Sequence, residues 1–234
     1  VDLAVVGKFS ETASVSAVST GSQVMQTATV IVTGLTMGVT VLLGQSIGAG
    51  DKERAGGIVA GQIKLFIFVA AFLTIVMIAF AEKAALIMNV PSAAIDEAVS
   101  YIRICSAGMV FITAYNAISG VFRGIGNSRS PFIFVSIACV VNIVCDLIFV
   151  GVFDMGASGA AYATVLAQAV SVVFSAFYIR RIDMPFSLTQ KSFKLPGTIN
   201  SIVKIGAPIA LQDFLVGISF LIITSIINSL GLTA

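Results

Sequence analysis

The hydrophobic positions of this chain fall into long uninterrupted blocks separated by short polar connectors. Blocks of roughly 16–44, 58–80, 100–121, 131–152, 158–178 and 202–230 are close to the roughly 20 residues that a helix needs to cross a bilayer. A shorter apolar run opens the chain, ending near Phe9. The blocks lack period-two alternation, and a backbone in lipid must satisfy its own hydrogen bonds, so helices are expected rather than strands. Pro131 fits the first turn of its helix, where the missing N–H costs nothing. The expected fold class is all-α, a polytopic transmembrane bundle of about six to seven spans with the first one truncated. The chain opens on Val1, in a run far too short to span, and closes on Ala234 without a polar tail. A piece of a longer polypeptide is expected.

The connectors alternate in charge. GAGDKERAGG carries Lys52 and Arg54, with Lys64 just beyond; FRGIGNSRSP carries Arg123 and Arg129; the segment after the 158–178 block carries Arg180, Arg181, Lys191 and Lys194, with Lys204 following. Ten of the 13 Lys and Arg residues therefore lie on one side. The other side holds Lys8, Lys83 and Arg103 among Glu11, Glu82, Asp96, Glu97 and Asp154. The positive-inside rule assigns the ten-residue side to the cytoplasm of a multi-pass cell-membrane protein, so the first span runs outward.

Composition narrows the function classes. The chain is 58% hydrophobic and 10% charged, against about 25% charged residues in a soluble domain. The net charge of +2 is too weak to suggest nucleic acid, and the basic residues do not interleave with aromatics. Histidine is absent, which removes the commonest metal ligand and proton shuttle. No Ser–His pair or HExxH motif suggests an enzyme, and no cofactor motif is present. Cys105, Cys139 and Cys145 sit in apolar runs with no metal spacing and read as small packing residues.

Within the spans, small and polar residues stand out. Gly34 and Gly38 form a GxxxG, and Gly159, Ala160, Ala161 and Ala163 cluster in the 158–178 block; such residues let helix backbones approach closely. The 16–44 block also holds Gln23, Gln26, Thr27, Thr29, Thr33, Thr36 and Thr40, a pattern open to two readings: a wet cavity wall or hydrogen bonding between helices.

Three carboxyl side chains lie in apolar runs: Asp2, Asp146 and Asp213. A charge at membrane depth costs a few kcal/mol or more, so each is a functional candidate, set against a carboxyl held neutral or bonded to a neighbouring helix. Asn142 precedes Asp146 by four residues and shares its helix face. At 1.5 Å per residue, Asp146 lies about 9 Å and Asn142 about 15 Å below the outer end of their span; Thr164 lies about 9 Å and Asp2 about 10 Å below the outer ends of theirs. Two carboxylates, an amide and a hydroxyl at matched depth make a hard-oxygen set. It suits Na⁺, or a proton shared between two close carboxylates.

The segments VDLAVVGKF, GQSIGAGDKERAG, FRGIGNSRSPF and above all VVNIVCDLIFVGVFDMGASGAAYATVLAQ resemble the multidrug and toxic compound extrusion (MATE) transporter family. The resemblance implies a two-lobe exporter of small organic molecules, driven by Na⁺ or H⁺ entry. It implies that residues 1–180 form a six-helix N-terminal lobe, 181–200 a cytoplasmic linker, and 201–234 the first helix of a C-terminal lobe. Loosely, IINSLGLTA echoes VVGKFSETA in support of the two lobes. The family's N-lobe cation site maps onto Asp2, Asn142, Asp146 and Thr164. An acid that some relatives carry in the C-lobe falls near Val216, which leaves Asp213 without an implied role. Gln23, Gln26, Tyr115, Asn116 and Asp213 are candidates to line a cargo cavity. The expected partners are small organic substrates, membrane lipids and the missing C-terminal lobe. A lipid-linked oligosaccharide flippase of the same superfamily is the alternative; its diphosphate cargo calls for Arg or Lys at mid-span, whereas Lys64, Arg103 and Lys204 lie only near span ends.

Overall fold

A computed structural model of the chain describes residues 2–88 and 90–229. Val1 and residues 230–234, including the end of the IINSLGLTA echo, lie outside the described residues. All regular structure among the described residues is helical. The order is α1 (Asp2–Phe9), α2 (Thr12–Gly48), α3 (Lys52–Ile87), α4 (Ile95–Ala107), α5 (Met109–Gly124), α6 (Arg129–Asp146), α7 (Gly156–Ile179) and α8 (Thr198–Ser229). Five of these are long and apolar enough to cross a membrane, counting α6 with the π-helical turns that extend it to Val152, and the bent pair α4–α5 makes a sixth. The chain is a multi-pass membrane bundle.

The helices run past the apolar blocks into the connectors, because a helix need not stop where the hydrocarbon does. α3 starts at Lys52, six residues before its apolar block, with the Asp51 side chain accepting a hydrogen bond from the Arg54 backbone N–H at 2.9 Å.

One expected span differs in kind. The 100–121 block is not a single helix but α4 and α5, bent by 49° at Gly108. A Ser–Gly pair supplies the cause. The Ser106 hydroxyl donates back to the Ile102 carbonyl at 2.6 Å, and the freed Ser106 carbonyl accepts from Thr74 of α3 at 3.1 Å. Val165 of α7 packs where a Cβ on Gly108 would stand.

α2 is the central column, packed against α1, α3, α4, α5 and α8. The polar stripe on α2 is bonded mainly within its own helix, with one bond of the interhelical kind. Thr27, Thr29, Thr33, Thr36 and Thr40 each donate to the carbonyl four residues earlier. Thr40 alone among these also reaches a neighbour, the Gly120 carbonyl of α5 at 3.1 Å. The hydroxyls are thus mostly satisfied within their own helix, a common way to carry Thr through an apolar medium.

Two cores divide the bundle. The larger joins Val6, Val18, Val32, Tyr101, Ile102, Met109, Val150 and Ala160 toward the acidic end. The smaller joins Val39, Leu43, Ile58, Val121 and Ile202 toward the basic end. There an aromatic stack ties three helices: Phe134 of α6 meets Phe122 of α5 edge-on at 5.4 Å and Tyr178 of α7 at 5.5 Å. The outer surface is strongly apolar, with Ile67, Phe68, Ile75, Phe132 and Val152 each more than 65% exposed. Such a surface is stable only against lipid.

Among the residues whose side chains are described, α8 packs on α2 through Ile202–Ala210. Gly34 faces Ala210; a Cβ on Gly38 would stand 2.7 Å from the Ile202 carbonyl oxygen and 2.9 Å from the Gly206 nitrogen. The GxxxG motif is therefore a backbone-to-backbone seam at the basic halves of both helices. Beyond Ala210 every residue from 211 to 217 is exposed, so α8 stands off α2 over that stretch.

Candidate cation site

The site forms where α1, α6 and α7 meet against α4. α6 carries Asn142 and Asp146 one turn apart, and immediately after Asp146 the helix widens into π-helical turns over Leu147–Val152. Wider turns of this type release carbonyls from the regular ladder and recur at functional positions. The chain then reverses sharply through Asp154 (φ 53°) into α7. The return is tight because Gly159 has no side chain: a Cβ there would stand 2.9 Å from Met155 Cβ and 3.2 Å from the Phe149 carbonyl. With Ala157, Ala160, Ala161 and Ala163 fully buried, α7 lies close against the end of α6 and sets the position of Thr164.

Asp2, Asn142 and Thr164 form one hydrogen-bonded chain across three helices. The Thr164 hydroxyl donates to Asp2 Oδ2 at 2.8 Å and accepts from Asn142 Nδ2 at 3.4 Å, the latter at the long limit for such a bond. Asp146 is fully buried beside them, next to the Asp2 carboxyl. Both of its carboxyl oxygens lack a hydrogen-bond partner among the described residues. The bond network therefore holds three of the four predicted residues, and the fourth meets no donor beyond the neighbouring Asp2 carboxyl, should one of the two carry a proton. An ionised carboxylate out of water costs several kcal/mol unless positive charge or donors meet it, so this position favours a protonated carboxyl or a bound cation. Among the described residues no three acidic, Cys or His groups converge, so the donor set suits a monovalent cation or a proton better than a transition metal.

Sequence reasoning missed one residue here: Tyr101 of α4 is buried near both carboxylates, while Cys105, one turn further on, is buried as the small packing residue expected. A tyrosine within an apolar span was the visible signal. Gln62, 1% exposed at the basic end, was also missed; its Nε2 donates to the Ala117 carbonyl at 2.9 Å and ties α3 to α5.

The cavity candidates are scattered rather than gathered. Gln23 and Gln26 are exposed on one face of α2, and Asp213 is exposed on α8 beyond its contact with α2. Tyr115 and Asn116 are half-buried on α5, and Asn116 Nδ2 donates to the Ile112 carbonyl at 2.8 Å.

The MatE family model matches residues 1–148, more than half of the chain. The chain belongs to the MatE family. Its curated relatives include "Probable multidrug resistance protein YpnP" of Bacillus subtilis, 29% identical over 233 residues that cover 97% of this chain and 51% of the relative. "Probable multidrug resistance protein NorM" of Thermotoga maritima is 26% identical over 239 residues, covering 100% of this chain and 51% of the relative. This MatE chain spans about half the length of the curated relatives it matches. Among solved structures, a multidrug resistance MATE family transporter in its outward-facing conformation aligns with TM-score 0.91 at 26% identity, covering 98% of this chain and 51% of that one. An inward-facing conformation aligns with TM-score 0.81 at 27% identity, covering 86% and 46%.

Proposed function

We propose that this chain supplies one half of a cation-coupled exporter of small, often lipophilic and cationic, organic compounds, with Asp2, Asn142, Asp146 and Thr164 as its cation site. On this reading residues 1–180 make one lobe, 181–200 connect, and 201 onward begin the second lobe. The observation that carries it is the buried, unbonded Asp146 carboxyl beside the Asp2–Thr164–Asn142 chain. A passive spacer gains nothing from that arrangement.

The mechanism is alternating access. A Na⁺ ion or a proton entering from outside neutralises the carboxylates, which removes the cost of keeping them dry. α1, α6 and α7 then repack, and the affinity for cargo falls. Such a bias works only through the difference in cation affinity between the two states. Each inward positive charge contributes about 2.3 kcal/mol per 100 mV of membrane potential. The outward-open state is supported by the α2–α8 seam, closed at the basic ends, with α8 standing off α2 over residues 211–217. The higher likeness to the outward-facing relative agrees. On this reading Gln23, Gln26, Tyr115, Asn116 and Asp213, though not gathered within this chain, contribute amide, phenol and acidic groups to a cargo cavity that the other lobe completes. The flippase reading is not favoured, because Lys64, Arg103 and Lys204 are exposed near span ends and no mid-span base awaits a diphosphate.

The test is drug efflux by the full-length protein carrying Asp146→Asn and, separately, Asp2→Asn. Both variants are expected to lose cation-dependent efflux. Wild-type efflux with wild-type cation dependence in both refutes the assignment.

A further inference from the structure

A cavity of about 550 Å³ lies at the basic end, far along the bundle from the cation site, between α3 and the segment that leads into α8. Lys64 and Lys194 border it, together with Phe193, Pro196 and Ile199, and none of its lining residues is acidic. Lys64 donates to the Phe193 carbonyl and stands 5.8 Å from the centre of the Phe193 ring. That contact uses one of its three N–H donors and leaves two for a ligand. The first turn of α8, Thr198–Asn200, forms part of the same wall. The neighbouring cavity across Leu195–Thr198 is lined by Asp51 and Glu53 as well as Arg54, so the positive character belongs to the first cavity alone.

Lys64 is placed at a specific depth. The stretch from Lys64 to Glu82 carries no charge between them and measures about 27 Å along the helix, close to the roughly 30 Å of bilayer hydrocarbon. The ammonium therefore sits at headgroup level. The same face of α3 continues into the membrane with Ile67, Phe68 and Ile75, which are 67%, 69% and 68% exposed, flanked by Phe72, whose ring stacks on Phe68 at 6.3 Å. From Lys64 to Ile75 this apolar stripe extends about 16 Å, half the hydrocarbon thickness and the depth of one leaflet.

We propose that this cavity and stripe bind one anionic phospholipid, its headgroup phosphate between Lys64 and Lys194 and its acyl chains along Ile67, Phe68 and Ile75. A cation pair alone takes any phosphate; the continuous lipid-facing stripe beneath Lys64 selects an anion that carries acyl chains. The lipid thereby bridges α3 to the segment leading into α8.

The test uses the full-length chain, purified and delipidated in detergent, with thermal unfolding followed against added phosphatidylglycerol, phosphatidylcholine or sodium phosphate. Phosphatidylglycerol is expected to raise the unfolding temperature saturably, and the other two are not. Lys194→Gln should weaken half-saturation by about fivefold, since one surface base near an anionic lipid is worth about 1 kcal/mol. Lys64→Gln should do the same and Lys64→Arg should not, which separates charge from loss of the Phe193 contact. Lys83→Gln, at the opposite end of α3, serves as the control with no expected change. Equal stabilisation by phosphatidylcholine, full saturation by sodium phosphate, or unchanged phosphatidylglycerol affinity in both Lys→Gln variants overturns the proposal. None of these readouts depends on transport.

Discussion

Replacing Asp146 by Asn should leave the cation-free protein at least as stable as wild type while abolishing the stabilisation that a coupling cation confers. Asp146 is fully buried, and neither oxygen has a hydrogen-bond partner among the described residues. Its ionised form at membrane depth costs about 3 kcal/mol, whereas a buried amide with poor partners costs about 1–3 kcal/mol. The exchange therefore changes intrinsic stability by about 0 to 2 kcal/mol in favour of Asn. A cation that binds only the folded protein adds about 2.7 kcal/mol at 100 times its dissociation constant, and that increment requires the negative charge. The assay is thermal unfolding of the full-length protein in detergent, with Na⁺ replaced by a large organic cation and the pH varied separately. Wild type should respond to Na⁺ or to acidification; Asp146→Asn should respond to neither and unfold no earlier than cation-free wild type. A variant that unfolds markedly earlier yet keeps the full wild-type cation response would show that Asp146 is a structural carboxyl with donors of its own, and the site assignment would fall.

Thr164→Val removes the hydroxyl that donates to Asp2 and accepts from Asn142; losing a hydrogen bond to a charged group costs about 1.5–3 kcal/mol, so cation affinity should drop about 10- to 100-fold, and Thr164→Ser should restore it. Titrating the cation response of the two variants side by side checks this. Gly38→Leu places side-chain carbon where the Ile202 carbonyl and Gly206 nitrogen already stand, so the seam between α2 and α8 should part at a cost of about 1–3 kcal/mol. In the full-length protein this should raise thiol-reagent labelling of a cysteine placed at Ile202, which is fully buried in the seam; labelling as slow as in the parent would contradict the seam.

Much of this protein was legible in the sequence because a bilayer reads sequence in one dimension. A span must be about 20 residues long, charges must sit at its ends, and depth follows from counting residues along a helix. Those constraints alone were enough to expect an all-α membrane bundle and to set Asp2, Asn142, Asp146 and Thr164 at one level. Counting gives no rotation about the helix axis, however, and no break within a span. The bend at Gly108 goes with the Ser106 hydroxyl bonding backward and with Thr74 of another helix donating to the Ser106 carbonyl, a contact that no count along the chain contains. The widened turns after Asp146 pack their Phe149 backbone against Gly159, a contact across the reversal between α6 and α7. The α2 threonines show the same limit in reverse: their hydroxyls turn back into their own helix, a partner that the string of residue types does not name. Membrane depth is a property of each segment taken alone, and the sequence by itself determined it. Which way a side chain faces, and what it finds there, is decided by the neighbouring helices, and only the tertiary structure contains them.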